Sequence, residues 1–176
     1  MKHKIISRLF SAKNLLLTNT ISCCCLLGVG DGIQQCFSSK KPPDGNFWNW
    51  TRTRHFMTAG FVMGPMSHYW YKMLDFYLPA ANAKTAFQKV VLELIIAPAF
   101  SFMFVTCVGT LEGRSLDHIW KEYKEKFPSI YLLDCCVWPP TQMINFMFLP
   151  PQARVVYVAF VQIFYNCFLS YIKHEL

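Results

Sequence analysis

The sequence predicts an all-α integral membrane protein, a helical bundle with four principal spans (five if the last apolar region crosses twice) and a short amphipathic connecting helix. Three observations carry that expectation. Of the 176 residues, 53% are hydrophobic and 15% charged, a balance well to the apolar side of an ordinary soluble domain. The chain holds 16 Phe, 8 Tyr and 5 Trp, rings that suit lipid-facing helices and the headgroup level. Apolar stretches close to the ~20 residues that a hydrocarbon core demands recur between short polar breaks. A greasy soluble lipid-binding protein is the other class with this composition.

Charge and cysteine content exclude more than they assign. The net charge of +7 is spread over 17 Lys and Arg that lie between apolar stretches and gather on no single face, so they read as loop and interface charges and not as a nucleic-acid footprint. Several of the 8 Cys sit inside apolar runs, where thiols behave as small hydrophobes. Cys23, Cys24 and Cys25, and Cys135 with Cys136, lack the Cys-x-x-Cys spacing of a zinc site, so helix packing is their expected role and no metal is expected.

The chain opens on Lys2, Lys4, Arg8 and Lys13 with Ser7 and Ser11, and no acid precedes Asp31. That is the composition of a mitochondrial targeting segment over residues 1–13, ahead of a single multi-pass membrane domain over 14–176. A basic tail merely flanking a membrane helix fits the same residues. The first span is expected over residues 15–37. Its distal end carries Gly28 and Gly32, a small-xxx-small pair that lets another helix approach, and Asp31 with Gln35, two polar groups on one face. Lys40, Lys41, Pro42, Pro43 and Asp44 form a loop that ends it.

The second span is expected over residues 54–78, with Gly60 and Gly64 spaced for close packing and a kink at Pro65. His68, Tyr69, Trp70 and Tyr71 read as an aromatic girdle near an interface, and Pro79 stops the helix. The third span, residues 86–109, contains Glu93 and the helix-interior Pro98. Residues 111–127 then alternate charge, with Leu116, Ile119, Trp120 and Tyr123 interleaved at helical spacing. This predicts the amphipathic helix, lying on the membrane or a partner, or else a solvated connector with internal salt bridges. From 131 to 173 the chain is apolar but interrupted at Trp138-Pro139-Pro140 and at Pro150-Pro151, which leaves one crossing or two.

No phosphate-binding glycine loop, nucleophile elbow or paired-His zinc signature is present, so neither an enzyme nor a cofactor is expected and no small-molecule substrate is identified. The chemistry that remains is polar groups at membrane depth: Asp31, Gln35, Glu93, Asp134, Gln142, Asn145 and Arg154. Charges there are costly and normally face a bundle interior or a watery cavity. Gln142 and Asn145, three apart on a helix expected to begin at Pro139, either line a pore or bond between helices as a lock. Asp134 and Arg154 also fit simple helix-end positions. The closing Lys173-His174-Glu175-Leu176 looks like a retrieval signal of the secretory route, but those are read on soluble luminal proteins, and it is taken as coincidence.

Particular residues bring a resemblance. Gly30-Asp31-Gly32 with Gln35, Gly64-Pro65 with His68, Trp70 and Tyr71, and Asp134, Trp138-Pro139, Gln142, Asn145-Phe146, Pro150 and Arg154 are similar to the Mpv-seventeen / peroxisomal membrane protein family of small four-span organellar proteins. Asn166, Leu169, Ser170 and Tyr171 fit it too, so the likeness covers nearly the whole chain. Leu17-Thr18-Asn19-Thr20, His68-Tyr69-Trp70-Tyr71, Leu111-Glu112-Gly113 and Cys136-Val137-Trp138-Pro139 look most like its branch called Mpv-seventeen-like protein two. The resemblance implies the mitochondrial inner membrane, with the peroxisomal membrane as alternative, and support of mitochondrial ribosome assembly with ribosomal subunits as partners. Where the family usually carries Asp-Gln in the third span, this chain has Glu93-Leu94, which puts a family-wide polar pathway there in doubt.

Two functions follow. As a scaffold, the basic tail and the 111–127 segment, with Lys121, Lys124 and Lys126 as the partner-binding residues, attract ribosomal RNA by a salt-sensitive contact. As a small-solute channel, proposed for the family's founder, Asp31, Glu93, Gln142 and Asn145 line the path. Either is compatible with a homo-oligomer in the bilayer.

Overall fold

In hydrocarbon every backbone N–H and C=O must be bonded within the chain, and a helix achieves this segment by segment. The computed structural model describes residues 10–11, 13–37, 48–79 and 82–175, with side chains except at 130 and 166–175. Those residues form five helices: α1 Leu15–Phe37, α2 Trp50–Tyr77, α3 Ala83–Leu111, α4 Leu116–Phe148 and α5 Arg154–Glu175. Lys2, Lys4 and Arg8, the loop from Lys40 to Asp44, the side chains of Asn166, Leu169, Ser170 and Tyr171, and the C-terminal Leu176 lie outside the described residues.

Local chemistry sets the helix starts. Asn49 caps α2 by accepting from the Arg52 N–H at 2.9 Å, Asn82 caps α3 through the Thr85 N–H at 2.8 Å, and Ser115 caps α4 through His118, each satisfying an amide with no intrahelical partner. Between α3 and α4, Gly113 adopts φ +76°, a left-handed conformation open to glycine at no steric cost. The turn leads α4 back along α3.

The described chain forms two compact units, one of Met1–Pro65 with Val155–Leu176 and the other Met66–Arg154. In the first, α1 and the start of α2 run antiparallel, with backbones in contact at two glycines. A Cβ on Gly60 would stand 2.6 Å from Cys24 Cα, and one on Gly64 2.6 Å from Thr20 Cα. Gly28 and Gly32 instead meet side chains, Met57 and the Trp48 ring. Cys23 and Cys24 are buried at this contact. On α5, Val155, Ala159 and Ile163 are buried four residues apart while Phe160 and Phe164 are exposed, the single apolar stripe of a helix packed on one face.

In the second unit α3 and α4 form an antiparallel hairpin. Phe102 packs on Trp120 and Tyr123. Pro98 has no N–H, so the Leu94 carbonyl four residues earlier loses its helical donor. The Tyr131 hydroxyl on α4 donates to that carbonyl at 3.2 Å, and the Tyr123 hydroxyl donates to Pro98 O at 2.8 Å.

The short amphipathic connecting helix is corrected. Residues 111–127 do not form a helix of their own: from Leu116 onward they are the opening turns of a 33-residue α4 that continues through Pro128, Pro139 and Pro140. Nor does the Gln142 helix begin at Pro139. Each proline deletes only its own amide bond, and neighbouring groups in a packed helix make up the loss. The interruption at Pro150-Pro151 does separate α4 from α5.

Among the described residues two helices, α1 and α3, are both long and apolar enough to cross a membrane, against four expected spans. Only 6% of the most apolar 18-residue stretch of α3 is buried, so α3 presents its apolar face outward, where lipid accommodates it. α2 has the length, at 28 residues, but carries Arg52, Arg54, Lys72 and Asp75 near its ends. The first half of α4 is charged, and the apolar part of α5 is described only over Arg154–Tyr165.

Candidate functional site

The polar residues expected at membrane depth fall into separate clusters, most of them completed by side chains from a neighbouring helix. In the first unit Asp31 is fully buried. Its Oδ1 pairs with Arg52 Nε at 2.7 Å. Its Oδ2 accepts from Gln35 Nε2 at 2.7 Å and from the Thr53 hydroxyl at 2.8 Å. Gln35 Oε1 in turn accepts the Asn49 N–H at 2.7 Å. The carboxylate therefore ties the end of α1 to the capped start of α2, and a buried ion pair of this kind is strongly destabilised when one partner is removed.

In the second unit Gln142 and Asn145 are 2% and 0% exposed. Gln142 Nε2 donates to the Tyr71 hydroxyl at 3.0 Å, and Asn145 Nδ2 donates to Gln142 Oε1 at 2.8 Å. Gln142 thus bonds α4 to α2, and Asn145 holds the Gln142 amide from within α4. Glu93 accepts from Trp70 Nε1 at 2.7 Å, linking α3 to α2. Asp134 accepts from Trp138 Nε1 one turn along α4 at 2.9 Å.

Arg154, expected as a helix-end charge or part of a polar path, joins neither the Asp31 nor the Gln142 cluster. Its guanidinium and Lys89 Nζ both bind Asp75 Oδ1, the lysine at 2.6 Å.

The aromatic girdle is also corrected. Tyr69 is exposed, but Tyr71 is 5% exposed and bonded inside the unit, and Trp70 turns to Glu93. At a helical 100° per residue, four consecutive aromatics cannot all face an interface. Sequence reading missed Arg52, Thr53, Asn49, Asp75 and Lys89 as partners. The available signal was that a buried carboxylate or cation requires a counter-group.

Along the start of α4, Ile119 and Tyr123 are buried while Leu116 and Trp120 are exposed. Lys121, Lys124 and Lys126 all point outward. Lys124 Nζ lies 5.3 Å from the Trp120 ring centroid, and Lys126 pairs with Glu122 at 2.6 Å. That hydrogen bond, with the charges of Lys126, Arg114 and His118, holds the Glu122 carboxyl below its ordinary value. Of these three lysines, Lys121 and Lys124 make no salt bridge among the described residues.

A model of the Mpv17 / PMP22 family matches residues 109–170, which include the Gln142–Asn145 pair. The mitochondrial inner membrane protein Mpv17 of Xenopus laevis is 34% identical over 148 residues, 83% of this chain and 82% of that protein. The chain belongs to the Mpv17 / PMP22 family. Mpv17 of Homo sapiens is 31% identical over 152 residues, 86% of each chain. PXMP2/4 family protein 4 of Dictyostelium discoideum is 31% identical over 144 residues, 81% of this chain and 77% of that one. No solved structure matches. Like the Mpv17 relatives, this family member is a protein of the mitochondrial inner membrane.

Proposed function

We propose that this chain crosses the inner membrane four times and supports assembly and stability of the mitochondrial ribosome, with no catalytic activity of its own. The crossings are α1, α2, α3 and one from the last apolar region, with the end charges of α2 reaching toward the headgroups. One observation carries the choice of a scaffold. The polar side chains at membrane depth are engaged with one another, Gln142 and Asn145 being 2% and 0% exposed, whereas exposed charge is concentrated at the start of α4. A pore lining needs polar groups turned to water; a lock needs them turned to each other. The ribosomal partner comes from the resemblance to the Mpv-seventeen-like branch. Lys121 and Lys124 supply exposed cations, set beside Asp117 and Glu125, whose contact with RNA phosphates weakens as salt rises.

The test is sedimentation of gently solubilised mitochondrial complexes at two salt concentrations. Co-migration with a ribosomal subunit at low salt, reduced at high salt, is the expected result. Migration solely as a small homo-oligomer, together with solute flux in liposomes, replaces the scaffold by a channel. Microscopy against peroxisomal markers tests the alternative location suggested by the PXMP2/4 relatives.

A further inference from the structure

The grouping of Asp75, Lys89 and Arg154 is unbalanced. Lys89 and Arg154 are 3% and 5% exposed, and both bind one oxygen of one carboxylate, Asp75 Oδ1. They share a second partner as well: Lys89 Nζ lies 5.3 Å and the Arg154 guanidinium carbon 5.4 Å from the centroid of the Phe146 ring. A ring face attracts a cation but does not neutralise it. Among the described residues, the cluster keeps one uncompensated positive charge. Arg154 Nε is also buried with no acceptor among the described residues, although a guanidinium presents its donors as a fork that binds two oxygens of one anion. Buried cations are normally matched in charge, so the arrangement lacks an anion.

Position identifies its chemistry. Asp75 lies two residues before the end of α2 and its side chain is 25% exposed, so the cluster opens outward on that side. Lys89 lies six residues inside α3, roughly 9 Å from its start, on a helix apolar enough to cross the membrane. Phe76, Tyr77 and Phe87 are exposed nearby in sequence, as aromatic side chains are at headgroup level. Basic pockets between membrane helices bind the head groups of anionic lipids. We propose that Asp75, Lys89 and Arg154 form a phosphate-binding site, occupied by the headgroup of an anionic phospholipid. The phosphate oxygens take the Arg154 Nε donor and share Lys89 with Asp75, completing the charge balance. This depends on the membrane location and not on the ribosomal role, so either can fail alone.

The test is thermal unfolding of the purified full chain in nanodiscs at constant salt. Three conditions are compared: phosphatidylcholine, phosphatidylcholine with phosphatidylglycerol, and phosphatidylcholine with added inorganic phosphate. Phosphatidylglycerol is expected to raise the midpoint by roughly 5 °C. Lys89→Gln, which balances the cluster one to one, is expected to lose that rise while melting in phosphatidylcholine alone within a few degrees of the wild type. Asp75→Asn does the reverse: it melts lower in phosphatidylcholine and gains more from phosphatidylglycerol. A shift from inorganic phosphate alone keeps the phosphate site and assigns it to a soluble anion instead of a lipid. Equal midpoints in all three conditions overturn the proposal. So does an equal loss of the rise in Lys84→Gln, an exposed lysine of α3, because the effect is then general attraction to a basic protein.

Discussion

Replacing Gly60 by Ala adds one methyl group where two helix backbones meet. The new Cβ would stand 2.6 Å from Cys24 Cα, 2.7 Å from Cys24 N and 3.0 Å from the Cys23 carbonyl carbon. Ordinary contact begins at about 3.4 Å, so α1 and α2 must separate by most of an ångström, and no atom in the way belongs to a side chain that can rotate aside. Overpacking of this kind costs about 1–3 kcal/mol. Against it stands the helix propensity of Ala over Gly, worth roughly 0.8–1 kcal/mol. The net expectation is a loss of about 1 kcal/mol or more, or roughly 2–4 °C in melting midpoint for a chain of this size. Gly28→Ala is the internal control, because its methyl meets the Met57 Cγ at 2.6 Å and a methionine side chain can re-pack. There the propensity gain cancels the crowding, and the midpoint should stay within about 1 °C of the wild type. The assay is thermal unfolding of purified protein in detergent. A Gly60→Ala midpoint at or above both the wild type and Gly28→Ala would refute the backbone contact.

Three further outcomes are expected. Tyr131→Phe removes the donor to the Leu94 carbonyl freed by Pro98 and should lower stability by about 1 kcal/mol; an unchanged melting midpoint shows that another donor serves that carbonyl. A double-mutant cycle of Tyr71→Phe with Gln142→Leu should return a coupling on the order of 0.6 kcal/mol, the usual size for a bond between membrane helices, and additive effects remove the lock. Glu122 is ionised more readily in the folded chain than in the unfolded one, so its contribution is present at neutral pH and lost as pH falls through its lowered folded value. Glu122→Gln should therefore flatten part of the acid-side fall in melting midpoint, and identical pH profiles for variant and wild type contradict that sign.

How much the sequence revealed depended on how local the responsible physics is. The bounds of α1 were legible because a mostly apolar stretch without proline lies between a basic segment and the polar run from Lys40 to Asp44. The small-residue spacing of Gly60 and Gly64 was enough to mark a helix contact, though not to distinguish their backbone contacts from the side-chain contacts of Gly28 and Gly32. The continuity of α4 was not legible: proline rules describe one amide, whereas persistence of the helix depends on its whole environment. Asp31 with Gln35, and Gln142 with Asn145, were paired correctly because helical spacing puts them on one face. Their partners Thr53, Arg52 and Tyr71 come from α2, and periodicity within one helix carries no information about the helix opposite. Asp75, Lys89 and Arg154 are brought together from three helices, so no spacing rule could join them.

The central claim is that the exposed charge of α4, and not the interior polar groups, carries the function. Mitochondrial protein synthesis, followed by radiolabelling in cells lacking this chain and re-supplied with variants at matched abundance, tests it most directly. Lys121→Glu with Lys124→Glu should leave the fold intact, since neither lysine makes a salt bridge among the described residues, yet fail to restore synthesis. Gln142→Leu should restore it once its abundance is matched. Full restoration by the lysine variant together with failure of Gln142→Leu would contradict the account and move the function into the bundle interior.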